Sequence, residues 1–281
     1  MSGLLTLEDL GVTIDGAEQR DLVEAVSFAL EPGERLGIIG ESGSGKSVTA
    51  LAILGLLAYP LEARGSAVLS TDGGSVEVVG ASQRRLDRVR GSVVSAVFQE
   101  PLASLDPLMR VGKQLAWPLR QHLGLRGDAL RRAVLDALAD VQLSDPERIA
   151  RSYIHEISGG QRQRVAIALA LAGDPRLLIA DEPTTALDVT VQAGVLDLLQ
   201  REVSERGMSL IFISHDLPVV SEVADRVLVM RHGRQVELAE TPRLLAAPEH
   251  PYSRTLVEAS RELDAFLPPS TGRARRTEGD R

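Results

Sequence analysis

The segment Gly40-Glu41-Ser42-Gly43-Ser44-Gly45-Lys46-Ser47 constrains this chain more than any other. It follows a short apolar run at 35–39 and leads into a stretch, 46–57, that reads as a helix starting in the loop itself. Glycines at 40, 43 and 45 permit backbone shapes closed to other residues, so successive N–H groups can point inward as an anion-binding nest. The helix that follows turns its positive end toward the same anion. An ammonium at Lys46 suits the β- and γ-phosphates of a nucleotide, and the Ser47 hydroxyl suits Mg²⁺. Of the 31 basic residues only Lys46 and Lys113 are lysine, so a lysine in this loop stands out against an arginine background.

The rest of the composition narrows the setting. With 281 residues, 44% of them hydrophobic, the chain can bury a sizeable core. The longest nearly apolar stretch, 48–59, falls short of the roughly 18–20 residues a membrane span needs. The opening residues lack a basic region followed by an apolar run, so no signal peptide is expected. Zero cysteines excludes disulfides, thiolate zinc sites and cysteine nucleophiles together. A net charge of −8 argues against a nucleic-acid binder, which draws its affinity from a basic surface. These features together predict a soluble, cytoplasmic α/β protein.

Strands are expected at 3–15, 25–30, 35–39, 68–69, 76–79 and 93–98, with a short basic helix at 83–89. Residues 100–155 read as mainly helical, with Leu130, Val134, Leu138 and Val141 at helical spacing. Beyond 158 helices at 160–172, 190–206 and 218–224 alternate with strands at 177–180, 210–213 and 227–230. That alternation predicts a mostly parallel sheet covered on both faces. His232-Gly233 reads as a hairpin turn into a strand at 235–238, and Thr241-Pro242 as a helix cap and first-turn proline. The tail from 268 is expected to be disordered.

A second chemical signal is Leu177-Leu178-Ile179-Ala180-Asp181-Glu182-Pro183, a buried strand whose tip carries two carboxylates at the ligand edge of the sheet. Asp181 is suited to hold Mg²⁺ through its water shell, and Glu182 to orient or deprotonate a water. Between the two phosphate motifs lies Ile157-Ser158-Gly159-Gly160-Gln161-Arg162-Gln163 at the head of a helix, a second anion-binding end. With these three motifs in this order the sequence resembles the nucleotide-binding subunits of ATP-binding-cassette (ABC) transporters, and Ser158, Gly159, Gly160 and Gln161 look like that family's signature.

The resemblance implies a P-loop (RecA-like) core with a mostly parallel sheet, an antiparallel β subdomain and a helical subdomain, about 100–160, that bears the signature. It implies ATP as substrate, held by residues 40–48 (Gly40 to Val48), with Mg²⁺ on Ser47, Gln99 and Asp181. It assigns catalytic roles to Glu182, to Gln99 as the Q-loop glutamine and to His215 as the switch histidine, and it likens Ala186-Leu187-Asp188 to the D-loop at the dimer interface. Each ATP would lie between the loop of one subunit and the signature of a second, identical or paralogous, cassette. His122, His155, His232 and His250 receive no catalytic role.

Three further segments look narrower than the superfamily. Val97 to Pro107, Tyr153 to Ile157, and His250-Pro251-Tyr252-Ser253-Arg254-Thr255-Leu256 resemble the oligopeptide, dipeptide and nickel importers. That branch implies a peripheral ATPase at the cytoplasmic face of the membrane, with two permeases and an extracytoplasmic solute-binding protein as partners. The division expected is a 1–240 ATPase domain, a 241–267 helical extension and the 268–281 tail. Import of nickel or another small solute, an exporter ATPase, and a soluble non-transport ABC ATPase are the competing readings. Two departures stand out. The branch's cysteine cluster after His-Pro-Tyr is absent, and residues 1–27 hold no aromatic side chain to stack on adenine. The missing ring forfeits about 0.5–1.5 kcal/mol and leaves Val12, Ile14 or Arg20 to pack there.

Overall fold

The computed structural model describes residues 3–15, 20–100, 104–184 and 189–266; the Ala186 to Asp188 segment and the tail from 268 lie outside them. In chain order, β1 (Leu5–Ile14), β2 (Arg20–Leu30) and β3 (Arg35–Ile39) lead into α1 (Lys46–Ile53). Then come β4 (Leu61–Thr71), β5 (Gly74–Glu77), α2 (Gln83–Leu86) and β6 (Val94–Val97). A helical stretch follows: α3 (Val111–Leu123), α4 (Gly127–Asp140), α5 (Pro146–Arg151) and α6 (Gly159–Leu171). The last part alternates through β7 (Leu177–Asp181), α7 (Val189–Glu205), β8 (Ser209–Ser214), α8 (Leu217–Val223) and β9 (Arg226–Arg231). It closes with β10 (Arg234–Glu240), α9 (Thr241–Ala246) and α10 (Pro251–Phe266).

Among the described residues two sheets form. The smaller runs β2-β1-β4-β5, all antiparallel. The larger runs β10-β9-β3-β8-β7-β6, parallel from β9 to β6, with β10 antiparallel at its edge. Side chains alternate faces along a strand, and the larger sheet uses this to feed two cores. Leu177, Ile179, Ile211 and Ile213 face the core shared with α1 and the smaller sheet. Leu178, Ala180, Leu210 and Phe212 face the other, shared with α6, α7 and the helical stretch. In that stretch Val111, Leu115 and Leu119 fall four apart on α3 and meet Val134 and Leu138 of α4 in one cluster.

Of the elements whose bounds differ from the expectations, three show a plain physical reason. Helix α1 stops at Ile53 rather than Leu57, because Gly55 takes φ 63° and the amides of Gly55 and Leu56 bond back to Ala52 and Leu51. β4 is far longer than 68–69. Its outer residues, Glu62 to Gly65, are exposed apart from half-buried Ala63 and lack the apolar alternation that marks a strand. Thr241 is the first residue of α9 and not its cap; its hydroxyl donates to the Ala224 carbonyl at 2.6 Å. Val12 is fully buried between Val23 and Ala63, a core residue with no face to offer a base. Ile14 is half-buried and Arg20 exposed, paired across the open end of β1 and β2.

Phe212, the largest fully buried side chain among the described residues, sits mid-strand in the central β8. Phe212→Ala is expected to lower the unfolding free energy by about 3–5 kcal/mol in chemical denaturation, the cost of a cavity between the sheet and the helices packed on that face.

Candidate active site

Parallel strands present ligands at their carboxyl ends. Along that edge, in the spatial order of the sheet, β9 turns at His232 and Gly233, β3 runs into the glycine loop and β8 into His215. β7 then ends in Asp181 and Glu182, and Gln99 follows β6 by two residues. The sheet order therefore gathers motifs that the chain scatters over more than a hundred residues.

The loop is tightly braced. A Cβ on Gly40 would lie 2.1 Å from the Met230 carbonyl oxygen, so only glycine passes that close to β9. Gly45 holds φ 98° against the Leu22 carbonyl and the Val23 side chain of β2. The Gly233 amide donates to the Ser44 carbonyl at 3.2 Å. Inside the loop the buried Lys46 ammonium donates to the carbonyls of Gly40 at 2.8 Å and Glu41 at 3.0 Å. Burial lowers its pKa, and the charges of Glu182 and Asp181 oppose that shift. The buried Ser44 hydroxyl has no hydrogen-bond partner among the described residues. Ser42 and Gly43 are exposed, and Val48 is half-buried against the α1 core.

The two carboxylates part company at the tip of β7. Strand alternation puts Asp181 on the face of Leu177 and Ile179, toward α1, where its Oδ1 accepts the Ser47 hydroxyl at 3.0 Å. Burial raises the Asp181 pKa and the Ser47 bond counters it. The next residue leaves the strand with φ 46°, which turns the Glu182 carboxylate to within 3.2 Å of His215 Nδ1. The Ser47 hydroxyl and the Asp181 carboxylate are hard oxygen donors of the kind Mg²⁺ takes from protein when phosphates and water supply the rest. Among the described residues no group of three His, Asp or Glu forms a metal cage.

The signature helix is capped by its own residues. Ser158 Oγ accepts from the Gln161 amide at 3.3 Å, and Gln161 Oε1 accepts from the Ser158 amide at 3.0 Å. Arg162 Nε braces the turn on the Ile154 and Ile157 carbonyls. Ser158 and Gly159 are exposed, and a Cβ on Gly159 would meet open space. The structure thus joins the loop, Asp181, Glu182 and His215 through hydrogen bonds or charge, and puts the side chain of Gln99 in solvent at the adjoining strand end. Asp188 is outside the described residues.

Sequence reasoning missed two braces of the loop. One is the β9–β10 turn, read only as a hairpin. The other is Tyr252, read only as part of a family-like segment, whose hydroxyl accepts the Glu41 amide at 3.0 Å. Neither has a local signal, because both contacts join residues some two hundred positions apart.

These features define a nucleotide-binding cassette, and the chain matches the ABC transporter family model over residues 23–185 and belongs to that family. It is 47% identical over 250 residues to a putative peptide import ATP-binding protein of Brucella abortus (strain 2308), covering 87% of this chain and 73% of that protein. It is 46% identical to the peptidoglycan transport ATP-binding protein YejF of Agrobacterium fabrum and 44% to the oligopeptide transport ATP-binding protein OppD of Mycobacterium tuberculosis. Those matches cover 91% and 94% of this chain, which spans only 47% and 43% of the two relatives' length. Among solved structures, a dimeric post-hydrolysis ATP-binding cassette bound to ADP and Pi superposes with TM-score 0.72 at 28% identity, covering 84% of this chain and 98% of that one. The cbiO1 protein of Clostridium perfringens gives 0.73 at 26%, covering 95% and 96%.

The raised pKa of Asp181 has a sign. A carboxylate that binds its proton more tightly folded than unfolded costs stability when ionised, above its folded pKa, and that cost is relieved as pH falls through it. Asp181→Asn keeps an acceptor for Ser47 and removes the charge. It is expected to melt at a higher temperature than the parent at neutral pH without nucleotide, by scanning calorimetry.

Proposed function

We propose that this chain is the ATP-hydrolysing subunit of an ABC importer for oligopeptides or dipeptides, acting as one of a pair of cassettes on two membrane permeases. The observation that carries the reading is the meeting, at one sheet edge, of a lysine-bearing glycine loop with the Ser47–Asp181 and Glu182–His215 pairs. The curated relatives printed as peptide import and oligopeptide transport ATP-binding proteins support the branch.

In this reading the amides of residues 40–48, Lys46 and the end of α1 bind the β- and γ-phosphates. Ser47 and Asp181 would hold Mg²⁺, with Gln99 at its side; when bound, the ion neutralises phosphate charge. Glu182 accepts a proton from the attacking water and orients it, and His215 holds the Glu182 carboxylate through Nδ1 with its other ring nitrogen turned toward the γ-phosphate. The exposed head of α6 is the surface that Ser158, Gly159 and Gly160 offer to the nucleotide of a second cassette, identical or paralogous. Side chains here mostly position and neutralise, as phosphoryl transfer demands.

The permease side fits a groove of about 640 Å³ lined by Ser104, Asp106, Gln114, Trp117, Gln121 and Arg90. Trp117 is 58% exposed there, an apolar anchor left in water. No helix among the described residues is long and apolar enough to cross a membrane. The chain would therefore sit peripherally on the permeases at the cytoplasmic face, with a solute-binding protein supplying cargo from outside and no nucleic-acid partner.

Lys46→Ala removes a charge-assisted contact and is expected to weaken ATP binding about 10–100-fold by calorimetry. Glu182→Gln is expected to keep ATP binding, cut phosphate release at least about 100-fold and accumulate a nucleotide-bound cassette dimer on size exclusion. Near-parent turnover by this variant refutes the role given to Glu182. Trp117→Glu is expected to hydrolyse ATP like the parent alone but to lose co-purification with the permeases.

A further inference from the structure

The peptide unit joining Gly40 to Glu41 is gripped at both ends. Its carbonyl oxygen accepts from Lys46 Nζ at 2.8 Å, and its N–H donates to Tyr252 Oη at 3.0 Å. A peptide plane held by two hydrogen bonds in opposite directions cannot rotate without breaking both. Lys46 belongs to the loop, but Tyr252 comes from the first turn of α10, which follows the ATPase strands in the chain.

Tyr252 is itself held firmly. It is 5% exposed, and the Arg231 guanidinium lies 4.7 Å from the centre of its ring. Arg231 is the residue after Met230, whose carbonyl abuts Gly40. On the other side, Glu237 of β10 accepts the amides of Glu249 and His250, each at 2.9 Å. His250 Nδ1 in turn lies 3.2 Å from the Tyr252 amide and accepts from it. The His250-Pro251-Tyr252 segment is thus a bracket: Glu237 fixes its start and the tyrosine hydroxyl fixes the phosphate loop. Burial holds the phenol above its ordinary pKa, so it stays neutral at physiological pH and its oxygen accepts the amide.

We propose that Tyr252 is a positioning residue for nucleotide binding, which sets the Gly40–Glu41 peptide and through it the carbonyl that steers Lys46. The inference rests on the phosphate-binding role given to this loop. Without the hydroxyl, the 40–41 unit is tethered only by the lysine that the phosphates also need. Binding then has to order the loop, and part of the affinity is lost. Because the loop faces both the β- and γ-phosphates, ATP and ADP are affected alike, while Glu182 and His215 on other strands keep their chemistry.

The test is Tyr252→Phe in the full chain, which keeps the ring on Arg231 and removes one oxygen. Calorimetry with Mg-ATP and Mg-ADP is expected to give dissociation constants raised about three- to tenfold for both, with KM raised to match and kcat within about twofold. A purely structural role would lower the melting temperature and leave these constants unmoved, which overturns the proposal. As a readout independent of turnover, the Glu41 amide is expected to exchange with deuterium faster in the variant than in the parent. Equal exchange also overturns the proposal. Lys46→Ala separates the two levels. If it binds both nucleotides as tightly as the parent, the phosphate-loop reading fails. If it loses binding while Tyr252→Phe does not, only the role of Tyr252 fails.

Discussion

One hydrogen bond, from the Ser47 hydroxyl to Asp181 Oδ1, ties the head of α1 to the tip of β7 across 134 positions of sequence. The rest of the site depends on that tie being possible. It requires β3 and β7 to end at the same edge with only β8 between them, which the order β3-β8-β7 provides. It requires Asp181 to face α1, which strand alternation provides. With those two conditions met, His215 arrives between the partners without further arrangement, because it follows the strand that separates them.

The chemistry of the chain was legible wherever function demands particular residues at fixed local spacing. The glycine loop with Lys46 and Ser47, the acidic tip at Asp181 and Glu182, and the Ser158 helix head were readable because each motif is complete within a few residues. The larger sheet was readable too, since buried parallel strands are nearly continuous apolar runs. The smaller sheet was readable only in part, since its four strands were expected but the outer ends of β2 and β4 were not. β2 and β4 carry Arg20, Asp21, Glu62 and Arg64 at exposed or half-exposed positions, so apolar alternation marks only their inner halves. The end of α1 did carry a signal, Gly55 in a left-handed conformation, that the apolar run through Leu57 obscured. Contacts such as Tyr252 with Glu41 have no counterpart in local spacing, because tertiary proximity alone creates them.

Two opposite strategies for fixing a backbone appear side by side. The phosphate loop is braced from outside, by the β9–β10 turn, by β2 and by α10, with the Lys46 ammonium drawn inward over it. The signature head is braced from within, by the reciprocal Ser158 and Gln161 bonds and by Arg162 below. The first arrangement fixes the loop through contacts from distant parts of the chain. The second leaves Ser158 and Gly159 exposed at the head of a helix that caps itself.

The strand alternation at β7 carries one last consequence. Asp181 and Glu182 differ by a single methylene, and what separates their surroundings is that Asp181 ends the strand an even step from Leu177 while Glu182 leaves it with φ 46°. Removing one residue between Leu177 and Ala180 would put the longer acid at the last position of the strand, on the side facing Ser47. The surroundings of the two carboxylates are therefore tied to reading frame along a strand, written in the four aliphatic residues that precede them.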